Sequence, residues 1–212
     1  MLELNKLYLM DCMEGMAQFP DKYFDLAIVD PPYGIGADVA QNNNKGNHGY
    51  KLYKLSDWDF AIPNEEYFIE LNRVSQNQII FGGNYFVKYL KPTSGWIVWD
   101  KIQRLTLSDG ELIYTSFNKA LRIYPYGRGA NQGFNNKNRF HPTQKPIPLY
   151  KWVLNKSAQP DFKIIDTHAG SCSSVIAFLD YGCEWIAFEI DKDYYEAASK
   201  RIEIHKQQLK LF

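Results

Sequence analysis

Seven short apolar runs, separated by turn-forming and helical stretches, limit the shape of this chain most: Leu7 to Met10, Leu26 to Val29, Ile79 to Phe81, Trp96 to Trp99, Leu112 to Tyr114, Phe162 to Ile165 and Trp185 to Phe188. Runs this short without polar alternation suit strands buried on both faces, as in a parallel sheet covered by helices. Helical stretches fall between them. Asn64 to Ser75 starts after Pro63, with Asn64 placed to cap and Glu65 and Glu66 in the first turn, where the helix dipole favours acids. Ile147 to Lys156, Ser173 to Tyr181 and Lys192 to Leu209 also read as helices. Strand alternating with helix predicts one α/β domain spanning 1–212, an open sheet with ligands at the carboxyl ends of its strands.

Two segments break the alternation. Residues 34–56 and 124–139 are rich in Asn and Gly, and loops of that length inside a domain are usually functional or disordered.

At 212 residues and 45% hydrophobic, the chain can bury a core without disulfides. Cys12, Cys172 and Cys183 are odd in number and form no C-x-x-C pair, which suits a reducing cytoplasm. No apolar run approaches the ~18 residues that span a bilayer, and no signal-peptide core opens the chain. The expectation is a cytoplasmic protein without a membrane partner. The four histidines and three cysteines lack zinc-ligand spacing, so no metal site is expected. Formal net charge is zero, yet no acid lies between Glu111 and Asp161, where eight Lys and Arg fall, among them Lys119, Arg122, Arg128, Lys137 and Arg139. Such a stretch is either the footprint of a polyanion, whose neutralised phosphates release counterions, or a solvated basic face balanced by acids elsewhere.

The strand Leu26 to Val29 runs straight into Asp30-Pro31-Pro32-Tyr33. An acid is thereby fixed at a strand's carboxyl end. Two prolines remove backbone freedom and two N–H donors, leaving nearby carbonyls to accept, and Tyr33 adds a flat π face. Acceptors beside a stacking plate suit a planar ring bearing an NH2 group; the plainer alternative is a rigid strand-end turn with a capping Asp. A second strand leads into Asp166-Thr167-His168-Ala169-Gly170-Ser171-Cys172-Ser173, small residues that let a ligand approach the backbone at a helix N-terminus. Glu189 ends the next strand, 19 residues after Gly170, where a dinucleotide fold places the acid that binds ribose hydroxyls. Neither G-x-G-x-x-G nor G-K-[ST] is present, which disfavours NAD and ATP. The third signal is His141-Pro142-Thr143-Gln144-Lys145-Pro146, a proline-bracketed turn ahead of a helix.

Taken in order, Asp11-Cys12, D-P-P-Y-G, Phe81-Gly82-Gly83-Asn84, Trp96 to Lys101, H-P-T-Q-K-P and Asp166 to Ser173 resemble the β group of amino methyltransferases acting on DNA, over nearly the full length. The resemblance implies a single Rossmann-like domain, a mainly parallel seven-stranded sheet with helices on both faces. It implies S-adenosylmethionine as cofactor and methyl transfer to the N6 amino group of adenine, the chemistry of restriction-modification enzymes. Asp30 and the Pro31 carbonyl would accept both amino hydrogens, Pro32 would stiffen the turn, and Tyr33 would stack on a base flipped from the duplex. Asp11 and Cys12 would meet the cofactor's adenine and Glu189 its ribose. Asp166, His168, Gly170 and Ser171 would wrap its methionine part, with Thr143 and Lys145 closing the pocket.

The chain departs from the family at one place. The usual D-P-F-x-G-S-G-T has Thr167-His168 for Pro-Phe and Cys172-Ser173 for Gly-Thr, so if the Gly position needs a positive φ, either Cys172 is strained there or the loop is rearranged. The loops 34–56 and 124–139 are candidate DNA-recognition segments, with the basic residues named above as DNA contacts. Tyr50, Tyr53 and Trp58 either stack on bases or pack a folded loop. Gln208 to Phe212 resembles the Q-L-x-L-F peptides that dock in the bacterial sliding clamp; a helix end packed on the domain is the alternative. Partners implied are duplex DNA, the clamp and a second copy of the chain. N4-cytosine methylation, an RNA substrate and a catalytically silent nucleic-acid-binding protein remain open alternatives; Asp rather than Ser at position 30 favours adenine.

Overall fold

In sequence order the chain builds β1 (Lys6–Leu9), α1 (Cys12–Met16), β2 (Phe24–Val29), α2 (Glu65–Val74), β3 (Ser75–Phe81), β4 (Ile97–Asp100), β5 (Gly110–Thr115), β6 (Arg122–Pro125), α3 (Ile147–Ser157), β7 (Lys163–Asp166), α4 (Ser173–Tyr181), β8 (Glu184–Glu189) and α5 (Lys192–Leu209). The structure is a computed structural model that describes residues 1–36, 59, 61–103, 108–127 and 140–209. All the described strands join one sheet in the order β1-β8-β7-β2-β3-β5-β4-β6. β5 runs antiparallel to both its neighbours, and every other pairing is parallel.

Among the described residues the sheet has eight strands where the apolar runs predict seven. The extra strand is β6. It pairs along one side with β4 and leaves three of its four residues exposed, so Arg122-Ile123-Tyr124-Pro125 carries no apolar run. Pro125, which lacks an N–H, is tolerated at such an edge. The short α1 also lacks a periodic signal. Its start is fixed by Asp11, whose Oδ1 accepts from the Met13 N–H at 2.7 Å. Asn64 caps α2 as expected, accepting from the Tyr67 N–H at 3.2 Å.

Both sheet faces are buried, which explains the unalternating strands. Along β2, Leu26 and Ile28 join one core with Leu149 and Val153 of α3 and Val175 and Phe178 of α4. Ala27 and Val29 join the other, with Phe68, Leu71 and Val74 of α2 and Met16 of α1. β8 repeats the division, Trp185 and Ala187 against Ile186 and Phe188. Each fully buried aliphatic or aromatic side chain contributes ~1.5–3 kcal/mol from the area it removes from water. Two such layers hold the carboxyl ends of β2 and β7 in fixed register. Among the described residues no helix is long and apolar enough to cross a membrane.

Candidate active site

β2 and β7 pair in parallel, Leu26 opposite Ile164. From β2 the chain passes through α2 to β3 on one side, and from β7 through α4 to β8 on the other. Connections that diverge this way leave a crevice beyond the carboxyl ends of the two strands, the usual ligand position in an open α/β sheet. A cavity of about 470 Å³ fills it, lined among others by Asp11, Cys12, Asp30, Pro32, Thr143, Lys145, His168, Gly170, Ser171 and Glu189. That volume lies within the range of cofactor pockets, ~300–1,000 Å³.

At the β7 end, carboxylates are tied to nearby backbone. Gly170 N–H donates to Glu189 Oε2 at 2.7 Å and Asp191 N–H to Oε1 at 2.8 Å, aiming the carboxylate across the loop; burial raises its pKa. Asp166 does not reach the cavity. It is buried, accepts from the His168 N–H at 3.1 Å and from the Ser174 hydroxyl, and so shapes the loop from beneath; burial raises its pKa to about 7. His168 is kept neutral, burial lowering its pKa to about 4. Its Nδ1 meets Thr167 Oγ1 at 2.9 Å, which in turn meets the Tyr67 hydroxyl of α2 at 2.7 Å. The Thr-His departure is thus accommodated by a hydrogen-bonded chain that Pro-Phe could not make. Cys172 does adopt the left-handed conformation, φ 56°, while fully buried. Arg201 of α5 braces that turn, donating to the Ser171 carbonyl at 2.6 Å and to Ser173 Oγ at 3.1 Å. Burial and the neighbouring Asp11 push the Cys12 thiol up to about 12, which leaves it a packing group.

The β2 end is held by charged side chains instead. Lys145 Nζ lies 2.5 Å from Asp30 Oδ2 and 3.1 Å from Glu111 Oε1, and Glu111 Oε2 lies 3.3 Å from Lys101 Nζ. The Tyr33 hydroxyl is 2.7 Å from both Asp30 Oδ1 and Glu111 Oε1 and accepts from Lys145 at 3.0 Å. Burial raises the Asp30 pKa, with Lys145 opposing. Burial also disfavours the Lys145 ammonium, but Asp30 and Glu111 outweigh it and hold its pKa above the ordinary value. Tyr33 stays a neutral phenol, burial raising its pKa well above the usual range.

Of the residues expected in catalysis or cofactor binding, three lie outside the cavity lining: Pro31, Tyr33 and Asp166. Tyr33 departs most from the expectation of an open stacking plate. Its ring already stacks on Tyr85, centroids 4.9 Å and planes 14° apart, because the turn at Gly82 brings the Phe81-Gly82-Gly83-Asn84-Tyr85 segment against it. Lys145 lines the cavity, but its ammonium turns to Asp30. Asp59 fixes the turn, its Oδ1 accepting from the N–H groups of Tyr33 at 2.8 Å and Gly34 at 3.0 Å.

Glu111, Asp59, Tyr85 and Arg201 carry no motif signal. Only Tyr85 adjoins one, following Gly82-Gly83-Asn84. His141 and Tyr194, rings 4.4 Å apart, also line the cavity. Lys119 and Arg122 sit elsewhere, lining a second cavity of about 390 Å³ with Gly95, Trp152 and Lys156 at the opposite ends of β4 and β6. Arg128, Lys137, Arg139, Tyr50, Tyr53 and Trp58 lie outside the described residues, as do most of 34–56 and of 124–139. α5 carries the chain through Gln208, which is exposed, and Lys210 to Phe212 lie outside the described residues.

An open, mainly parallel sheet with a ligand crevice at its switch point, an acid-Pro-Pro-Tyr turn on one lip and a small-residue loop on the other define the Rossmann-like methyltransferase class. The DNA methylase family of N6/N4 methyltransferases matches residues 92–200, just over half the chain, and the chain belongs to it. Putative methylase YubD of Escherichia coli (strain K12) is 24% identical over 204 residues, covering 91% of this chain and 87% of its own length. Type II methyltransferase M.HpaI of Haemophilus parainfluenzae is 25% identical over 237 residues, covering 93% and 74%. Among solved structures, the fold matches M1.HpyAVI in complex with SAM at TM-score 0.60 and 17% identity, covering 93% of this chain and 98% of that one. It also matches the cytosine-N4-specific PvuII DNA methyltransferase at 0.62 and 13%, covering 93% and 86%.

Proposed function

We propose that this chain methylates the N6 amino group of adenine in duplex DNA, with S-adenosylmethionine as methyl donor. The observation that carries the reading is the position of Asp30: a carboxylate at the carboxyl end of β2 that lines the same cavity as Glu189 and the Gly170 loop. The cavity fits the cofactor's chemistry. Glu189 offers carboxylate oxygens to a ribose diol, the 168–171 loop offers close backbone approach, and Asp11 and Cys12 form the wall for an adenine. When bound, the cofactor supplies an electrophilic methyl group.

The protein's part is acceptance and alignment. An adenine amino lone pair is delocalised into the ring and attacks poorly. With one hydrogen held by Asp30 and the other by the carbonyl of Pro31, which is not itself in the lining but lies between the lining residues Asp30 and Pro32, the nitrogen turns pyramidal and its lone pair faces the cofactor side. Once the base is seated, acceptors held in position do this without reorganising at the moment of reaction. A base inside a duplex cannot reach Asp30, so it is flipped out, at a cost of a few kcal/mol in lost stacking. The PvuII relative is named cytosine-N4-specific, and the same acceptors would serve a cytosine amine. Asp at position 30, where that group more often has Ser, favours adenine.

The test is to methylate mixed-sequence duplex DNA with the purified chain, digest it to nucleosides and identify the product by mass spectrometry. N6-methyladenine is expected. N4-methylcytosine would overturn the base assignment, and absence of both products from protein that binds the cofactor would overturn the enzymatic reading.

A further inference from the structure

We propose that Glu111 is a positioning residue that takes Lys145 and the Tyr33 hydroxyl away from Asp30 as the target amine arrives. The proposal rests on the reading of Asp30 as acceptor for that amine. As the molecule stands, both Asp30 oxygens are engaged, Oδ2 by the Lys145 ammonium at 2.5 Å and Oδ1 by the Tyr33 hydroxyl at 2.7 Å. An incoming amino group therefore competes with a buried ion pair. Stripping an ammonium from its buried partner is strongly unfavourable unless a second anion receives it.

Glu111 is that second anion, already in place. Its Oε1 lies 3.1 Å from Lys145 Nζ and 2.7 Å from the Tyr33 hydroxyl, so the hydroxyl reaches it by rotation alone and the ammonium by a small shift. The phenol has one hydrogen and two carboxylates at equal distance; a rotation about its C–O bond turns that hydrogen from Asp30 to Glu111. The ring itself cannot drift. It is stacked on Tyr85, and a Cβ at Gly82 would come within 2.2 Å of it, so the turn leaves no slack on that side. Lys101, 3.3 Å from Glu111 Oε2, steadies the receiving carboxylate from the far side. Resting and working arrangements thus differ by an O–H rotation and a small shift of one ammonium, and Glu111 makes the second as well satisfied as the first.

A set of variants tests the hand-off by single-turnover methylation with saturating cofactor and DNA. Glu111→Gln should lower the rate about 10- to 100-fold, as loss of a charge-assisted hydrogen bond does, with cofactor affinity unchanged within about twofold. Adding Lys145→Met to Glu111→Gln should restore part of the rate, because the cation that blocks Asp30 is gone; Glu111→Asp should fall between wild type and Glu111→Gln. A double variant slower than Glu111→Gln, or wild-type rate in Glu111→Gln, overturns the proposal.

A structure of the wild-type chain with target DNA and a cofactor analogue gives a measurement free of folding defects. Lys145 should move closer to Glu111 than to Asp30, and an unchanged Lys145–Asp30 pair refutes the hand-off. If wild-type protein methylates no amine, or Asp30→Ala keeps turnover, the functional reading beneath it has failed instead.

Discussion

The two lips of the crevice are held by different physics. On the β7 lip, Glu189 and Asp166 are satisfied mainly by N–H and O–H groups close along the chain or on the next loop, such as Gly170, Asp191, His168 and Ser174. On the β2 lip, Asp30 is held by Lys145, and Lys145 by Glu111, from segments more than a hundred and more than thirty residues away along the chain. Neutral donors from the backbone fix geometry and leave a carboxylate ready for hydroxyls. Ion pairs between distant side chains hold a carboxylate in reserve, since each partner can be exchanged for another. On the functional reading proposed above, a rigid lip suits a cofactor that is bound the same way every cycle, and an exchangeable one suits a base that comes and goes.

That contrast can be broken from either side. Asp30→Ala should produce the largest effect, a loss of ~10³-fold in methyl-transfer rate, the scale set by removing a preorganised transition-state contact, while cofactor affinity by calorimetry stays near wild type. Retained turnover would remove Asp30 from the mechanism. Glu189→Ala should do the reverse, weakening cofactor binding ~10- to 100-fold through loss of charge-assisted hydrogen bonds while the rate at saturating cofactor falls far less. A Glu189→Ala protein with normal cofactor affinity would show that the rigid lip is not the cofactor side.

Gly82→Ala sharpens the comparison without touching a charge. Gly82 has φ 66° and a Cβ there would meet the Tyr33 ring at 2.2 Å, so the substitution should push the phenol off the Asp30–Glu111 pair. A rate loss of ~10-fold with unchanged cofactor affinity is expected from such misplacement; a parallel loss of both would mean that the lips are mechanically one. The smallest effect concerns acid stability. With a folded pKa of about 4 and an unfolded value of 6.5, His168 favours the folded state fully above pH 6.5, and that contribution is lost as pH falls toward 4 because the unfolded chain takes up the proton first. His168→Phe should therefore gain stability relative to wild type by about 1 kcal/mol on going from pH 7.5 to 5.5, read by chemical denaturation at each pH. Equal pH dependence in both proteins would mean that His168 is solvated.

Legibility in the sequence follows the same division. The β7 lip could be read because its parts are consecutive or separated by one helix: Asp166 to Ser173, then Glu189 at the end of β8. The strain at Cys172 followed from a non-glycine at a position that needs positive φ, and it is present. Arg201, which braces that turn from α5, could not be found, because a helical arginine looks the same whether it faces solvent or a loop. Strand β6 leaves no trace in the sequence because an edge strand needs no apolar run.

By itself the sequence determined the α/β alternation, the strand-end position of Asp30 and Glu189, and the motif order that marks a DNA amino methyltransferase. These depend on covalent neighbours and on a period of hydrophobicity. Only the tertiary structure decided that Tyr33 stacks on Tyr85, that Lys145 pairs with Asp30, that Glu111 lies beside the same ammonium, and that Lys119 and Arg122 sit at the far end of the sheet. A buried charge takes whichever partner the packing of distant elements brings within about 3 Å, and no local pattern encodes that choice.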